Sequence, residues 1–106
     1  MTVEKSVTDP PFHLSRESRK LWRAIVPRRA RSPERLILVR AALEALDRAE
    51  AARTLIAMEG MTTTTKTTGA VHIHPLVRVE REARSQFMRA WDQLNLAWDA
   101  RTDGRT

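Results

Sequence analysis

The sequence predicts a mainly α-helical protein in which three helices form one small domain and a short β-hairpin separates the second helix from the third. Three observations lead to this fold class. The clearest apolar periodicity of the chain has helical spacing and runs from Pro75 to about Trp98. Two Ser-started segments precede it, and a threonine-rich stretch with strand-forming residues lies between. A chain of 106 residues is long enough for one modest core.

The first helix is predicted over residues 15–26. Ser15 is a suitable N-cap and Glu17 lies in the first turn, near the positive end of the helix dipole. One face of this helix is basic and the opposite face is apolar. Pro27 is expected to end it, because a residue that precedes proline avoids the helical region.

The middle helix is predicted over residues 33–59. Ser32 caps its start, Pro33 suits the first helical position, and Gly60 suits its end. Apolar residues cover nearly half of its circumference, which is more than one neighbouring helix needs. We therefore expect this helix to pack on two sides.

A β-hairpin is predicted over residues 61–74, with Gly69 in its turn. The last helix is predicted over residues 75–98, with Pro75 in its first turn. Val77 and Met88 lie just outside its apolar stripe and indicate a second contact. The stripe itself consists of Leu76, Val79, Ala83, Phe87, Ala90, Trp91, Leu94 and Trp98.

The predicted domain covers residues 13–99, between a flexible N-terminal arm at 1–12 and a frayed tail at 100–106. The chain contains no cysteine, so disulfides and thiolate chemistry are excluded. Neither a signal peptide nor a membrane span is recognisable in the sequence. The cytoplasm is the expected compartment, and no membrane partner is expected.

The positive charge of the chain is concentrated in one segment. Residues 16–35 hold eight basic and two acidic residues, a net of +6, which equals the net charge of the whole chain. Arginine offers phosphate a planar fork of donors, so duplex DNA is the favoured partner. A solvated surface, an acidic protein, RNA or an anionic membrane are the alternatives. The candidate DNA contacts are Arg16, Arg19, Lys20, Arg23, Arg28, Arg29, Arg31 and Arg35.

Catalytic and metal-binding patterns are weak. His72 and His74 lie on one face of a predicted strand and could share a metal ion, but no third ligand follows from the sequence. The alternative is that they flank the strand and cap the next helix. Most carboxylates are three or four residues from an arginine, as on a solvated helix surface. We expect no enzyme activity, no metal, no cofactor and no small-molecule substrate.

In this order of elements the chain resembles the small subunit of tailed-phage terminases, over about residues 10–96. The resemblance depends on a Pro-Pro-x-His-Leu-Ser start, Leu-Trp and Ile-Val-Pro in the first helix, and His-Pro-Leu at the start of the last. The matching residues are Pro10, Pro11, His13, Leu14, Ser15, Leu21, Trp22, Ile25, Val26, Pro27, residues 56–60, His74, Pro75, Leu76, Phe87 and residues 91–96.

The resemblance implies a non-catalytic DNA-recognition subunit of a bacteriophage or prophage. Such a subunit forms a homo-oligomeric ring and delivers viral DNA to a large subunit that supplies the ATPase and nuclease, in the bacterial host cytoplasm. A phage adaptor protein with an acidic partner and a dimeric, repressor-like DNA binder are the rival interpretations. The expected interface between copies comprises Leu38, Ala42, Ala45, Ala49, Val77 and Met88.

Overall fold

The computed structural model describes residues 9–60, 62–64 and 69–95 of the chain. Its elements, in order, are α1 (Arg16–Arg29), α2 (Pro33–Glu59), β1 (Thr62–Thr64), β2 (Val71–Ile73) and α3 (Pro75–Leu94). The two strands are antiparallel, with Thr63 opposite His72. The predicted fold class is confirmed: three helices, with a short hairpin between the second and third. The predicted turn residues 65–68 lie outside the described residues.

Helices α2 and α3 form an antiparallel pair that is the main packing unit. Along α2 a row of buried residues recurs every three or four positions, and four of its five members are alanine. These residues are not part of the apolar cluster around α1, so α3 is the helix that covers them. We call this row the alanine seam: Ala42, Ala45, Ala49, Ala52 and Ile56.

Polar contacts flank the alanine seam on both sides. Arg48 donates to Gln86 of α3 at 2.8 Å, and Arg84 of α3 donates to Glu50 at 3.0 Å. Residues with higher numbers on α2 therefore meet residues with lower numbers on α3, as an antiparallel pair requires. Ala83 of α3 is buried, and its Phe87 and Trp91 are half-buried with ring centroids 5.0 Å apart. The predicted Trp98 lies outside the described residues.

Helix α1 packs on the N-terminal half of α2 through a separate apolar cluster. Trp22 and Val26 of α1 meet Val39 and Leu43 of α2, and Leu94 closes the cluster from the end of α3. Four of these five side chains are completely buried, and each such aliphatic side chain contributes about 1.5–3 kcal/mol by burial. All three helices therefore meet at one end of the α2–α3 pair.

The predicted helix ends are partly correct. Ser15 and Ser32 accept hydrogen bonds from Ser18 N and Arg35 N, as N-caps do, and Gly60 ends α2 at a φ of 89°. The prediction that Pro27 ends the first helix is wrong, because α1 continues to Arg29. Pro27 lies in the last turn, where its missing N–H removes one hydrogen bond and leaves the preceding turns intact.

The last helix is shorter than predicted. α3 ends at Leu94, and Asn95 adopts a left-handed conformation with φ of 54° as its C-cap. Asparagine is the non-glycine residue that tolerates this conformation best, which accounts for an end four residues before Trp98.

Enlarging a residue of the alanine seam should destabilise the fold. We expect Ala49→Leu to lower the free energy of unfolding by about 1–3 kcal/mol, because the side chain has no space between α2 and α3. The matched control is Ala57→Leu, which is exposed on the same helix and should change stability by less than about 0.5 kcal/mol. Urea unfolding followed by circular dichroism measures both, and equal values for the two variants would contradict the packing described here.

Candidate nucleic-acid interface

Helix α1 and the link that follows it present a group of exposed cations. Arg16, Lys20 and Arg23 recur at four and three positions along α1, on the side next to that of its buried Trp22 and Val26. Arg28 is exposed in the last turn, and Arg31 is exposed in the link to α2. Within the described residues none of these five side chains forms an ion pair. We call the five residues the basic face: Arg16, Lys20, Arg23, Arg28 and Arg31.

The continuation of α1 through Pro27 adds Arg28 to the helical part of the basic face, about 120° around the helix axis from Arg16. From Arg16 to Arg28 the helix rises about 18 Å. This distance matches the rise of about five base pairs of duplex DNA. The same continuation places the positively charged Arg28 and Arg29 at the C-terminal end of α1, where they offset the negative end of the helix dipole.

Three of the eight predicted DNA contacts have different surroundings. Arg19 and Arg29 are half-buried, on the side of α1 that carries Trp22 and Val26. Arg35 is part of the framework: its Nε donates to the carbonyl of Arg29 at 2.6 Å, and a second guanidinium nitrogen donates to the carbonyl of Leu94. Arg35 thereby joins the C-terminal ends of α1 and α3, and we no longer place it among the DNA contacts.

Asp47 of α2 fixes the start of α1, a role that the sequence analysis missed. Its carboxylate accepts from Ser15 N at 2.8 Å, Ser15 Oγ at 2.7 Å and Ser18 Oγ at 2.6 Å. Ser18 is almost completely buried, so Asp47 supplies the partner that its hydroxyl needs. Asp47 also places a negative charge at the positive end of the α1 dipole. The only sequence signal is an acidic residue beside Leu43 and Leu46 on the broad apolar face of α2.

A second contact holds the residues before α1. His13 Nε2 donates to Glu44 Oε2 at 2.7 Å, and Arg40 donates to the same oxygen at 3.2 Å. The hydrogen bond from His13 is the main reason why the pKa of Glu44 lies below its usual range; burial is the next largest effect and opposes it, and Arg40 lowers the pKa further. Two acidic residues of α2, Glu44 and Asp47, therefore orient the basic helix.

The two histidines of the hairpin do not share a site. His74 is buried, its Nδ1 accepts from Leu76 N at 3.1 Å, and its Nε2 donates to Glu59 at 2.6 Å. His72 is exposed on β2. His74 therefore caps α3 and ties it to the end of α2, which was the alternative to a metal site. Among the described residues no group of three or more metal-binding side chains occurs.

The predicted interface between copies is distributed over several environments. Ala42, Ala45 and Ala49 belong to the alanine seam, so α3 of the same chain covers them and they offer no surface to another copy. Leu38 and Val77 are half-buried, and Met88 is 58% exposed. Oligomerisation itself stays a prediction, but it requires a surface other than the alanine seam.

The fold and the basic face define a small helical protein suited to binding a polyanion. Among the described residues, none of the helices has the length and apolar composition of a membrane span. Comparison with protein families matches residues 18–105 to the family described as phage terminase, small subunit. The chain belongs to this family, whose proteins take part in packaging phage DNA. No curated protein and no solved structure matches the chain.

Removing the carboxylate of Asp47 should loosen α1. We expect Asp47→Ala to lower the free energy of unfolding by about 1–3 kcal/mol, because the buried Ser18 hydroxyl loses its partner. Asp92→Ala, an exposed aspartate on α3, is the control and should have little effect. Chemical unfolding measures the difference, and an Asp47→Ala variant as stable as the control would show that Asp47 does not hold α1.

The His13–Glu44 contact should make stability depend on acidic pH. A carboxyl group whose pKa is lower in the folded than in the unfolded state stabilises the fold above its unfolded pKa, about 4.3, and loses that contribution as pH falls through its folded pKa. We therefore expect the stability advantage of the wild type over Glu44→Gln to be present at pH 6 and to disappear towards pH 3.

The matched comparison is the same substitution in a His13→Ala background. Because His13 is the main cause of the lowered pKa, the pH-dependent difference should be smaller there. Urea unfolding at several pH values measures both differences. An equal difference in the two backgrounds would show that the His13 contact does not stabilise the charged carboxylate.

Proposed function

We propose that the protein is the non-catalytic DNA-recognition subunit of a phage packaging terminase and that it binds duplex DNA through the basic face of α1. The main support is the group of five exposed cations of the basic face, none of which forms an ion pair within the described residues. Helix α1, which carries four of them, is held in a fixed orientation by α2. Family membership supports a role in DNA packaging and favours it over the adaptor and repressor interpretations.

The chemistry of the basic face fits the sugar–phosphate backbone better than base edges. Four of its five members are arginines, which pair with phosphate through a planar fork of donors. Phosphate contacts position a protein on DNA and make affinity salt-dependent, without reading sequence. We therefore assign to α1 the general affinity for DNA. Arg19 and Arg29, at the margin of the face, are secondary candidates.

The proposed partners follow from this role. Bound DNA would pass to a large terminase subunit, which supplies the ATPase and nuclease, and several copies of the small subunit would act together as a homo-oligomeric ring. The proposed compartment is the cytoplasm of the bacterial host. No cofactor or small-molecule substrate enters this role.

Charge removal from the basic face tests the proposal. We expect Lys20→Gln, Arg23→Gln and Arg28→Gln together to weaken binding to duplex DNA. Each phosphate contact contributes about 0.9 to the slope of log affinity against log salt, so the slope should fall by about 2–3. Fluorescence anisotropy with a labelled duplex at several salt concentrations measures both quantities.

The matched control removes the same charge elsewhere. Arg78, Arg81 and Arg89 are exposed on α3, and their replacement by glutamine also subtracts three positive charges. The control should retain most of the wild-type slope, because its three arginines lie outside the basic face. Since both variants lose the same charge, a difference between their slopes reports direct phosphate contacts and not general attraction. Equal slopes for the two triple variants would remove α1 from the DNA site, and a wild type that does not retain DNA would remove DNA binding altogether.

A further inference from the structure

Two adjoining clefts lie at the hairpin end of the α2–α3 pair. The first, of about 380 Å³, lies where β2 leads into α3, and Ile73, Pro75 and Val77 are in its lining. The second, of about 520 Å³, lies between the end of α2 and the start of α3, and it is lined by Ala57 and again by Val77. Because Val77 lines both clefts, we treat them as one surface and call it the hairpin-end groove.

The floor of the hairpin-end groove is apolar and accessible. Ile73 is 71% exposed, Pro75 and Ala57 are exposed, and Val77 is half-buried. An exposed isoleucine gains free energy when a partner covers it, because apolar area is then removed from water. The groove therefore favours an occupant with an apolar part.

Three arginines surround this floor. Arg78 and Arg81 line the first cleft, and Arg53 lines the second. All three are exposed, and within the described residues none of them forms an ion pair. Glu80 also lines the groove, but its carboxylate already accepts from Arg84 at 3.1 Å. The rim thus has positive charge that an acidic occupant can neutralise.

His74 gives the groove a fixed shape. Its Nδ1 accepts from Leu76 N at the start of α3, and its Nε2 donates to Glu59 of α2 at 2.6 Å. These two bonds connect the junction between β2 and α3 to the end of α2, so both walls of the groove are held together. A preformed groove loses little conformational freedom when a ligand binds.

Duplex DNA matches this surface poorly. Phosphates would pair with the arginines, but the charged backbone offers little apolar surface to cover Ile73 and Val77. The groove also lies at the end of the α2–α3 pair away from the cluster where all three helices meet. Helix α1, which carries most of the basic face, contributes no residue to the lining of either cleft.

A second copy of the chain does not supply the complementary surface from its described residues. Most of its carboxylates already bind a histidine, an arginine or a serine. Those that form neither an ion pair nor a side-chain hydrogen bond are scattered over the three helices instead of forming one acidic surface: Glu17, Glu34, Glu82 and Asp92. The charge pattern therefore favours a different protein as the occupant.

We propose that the hairpin-end groove binds a short segment of a partner protein in which apolar side chains are flanked by aspartate or glutamate. The apolar side chains would lie on Ile73 and Val77, and the carboxylates would pair with Arg53, Arg78 and Arg81. The site goes beyond the proposed function, because it adds a protein-binding surface that depends neither on DNA binding nor on the number of chains in the assembly.

Binding of designed peptides to the wild-type protein is the first test. The probe is a short fluorescein-labelled peptide with glutamates around a pair of leucines. One control peptide has serine in place of the leucines, and the other has glutamine in place of the glutamates. We expect the probe to bind at least about tenfold more tightly than either control, because each control lacks one of the two contacts. Fluorescence anisotropy measures all three affinities.

Charge removal from the rim is the second test. Arg53→Gln, Arg78→Gln and Arg81→Gln together should weaken binding of the probe by about tenfold or more. The matched control is the triple variant of α1, which also loses three positive charges and should retain the probe. The same two proteins with duplex DNA should behave in the opposite way, so failure of the groove and failure of the proposed function are distinguishable.

The contribution of the floor is tested on β2. Ile73→Thr removes apolar area but keeps a β-branched side chain, and it should weaken binding of the probe severalfold. Val71→Thr is the matched control, because Val71 is exposed on the same strand and does not line the groove. Far-ultraviolet circular dichroism checks that each variant is folded, and the comparison of the three peptides needs no substitution at all.

Several results would overturn the proposal. Equal affinity of the wild type for the three peptides, or no binding, would show that the groove does not recognise an acidic, apolar segment. Loss of the probe in the α1 variant but not in the rim variant would place it on the basic face. A lower mass of the rim variant than of the wild type in light scattering would assign the groove to a second copy. A DNA salt slope lowered by the rim substitutions would assign its arginines to DNA.

Discussion

The close contact between α2 and α3 along the alanine seam is the constraint on which the other elements depend. Four alanines allow the two helix backbones to approach, and this approach determines where the ends of α3 lie. At one end, His74 caps α3 and bonds to Glu59 of α2. At the other end, the carbonyl of Leu94 reaches Arg35. The hairpin strands thus connect helices whose relative position is already set by packing.

The position of the basic face follows from this pair through two kinds of contact. Leu94 completes the apolar cluster that receives Trp22 and Val26, so α1 packs where α2 and α3 meet. Asp47 then accepts hydrogen bonds at the start of α1, while Arg35 donates to the carbonyl of Arg29, the last residue of α1. Because both ends of α1 are held by hydrogen bonds to α2, the backbone that carries its exposed cations has a fixed orientation. Preorganised cations lose less conformational freedom when a polyanion binds.

The sequence predicts best what short-range chemistry decides. Ser15, Ser32 and Gly60 were recognisable because a cap depends on residues within one turn. The role of Arg35 could not be recognised in the sequence, because its second acceptor, the carbonyl of Leu94, lies 59 positions away in the chain. Periodicity showed that α2 has a broad apolar face, but it could not show which part α3 occupies. Ala42, Ala45 and Ala49 were therefore expected at an interface between copies and instead lie inside the chain.

This correction changes what can be expected of assembly. Once the alanine seam and the cluster around Val39 are occupied within the chain, a contact between copies has to use other surfaces of the described residues. A contact between copies that leaves α1 uncovered would let the avidity of several chains add to the affinity of one.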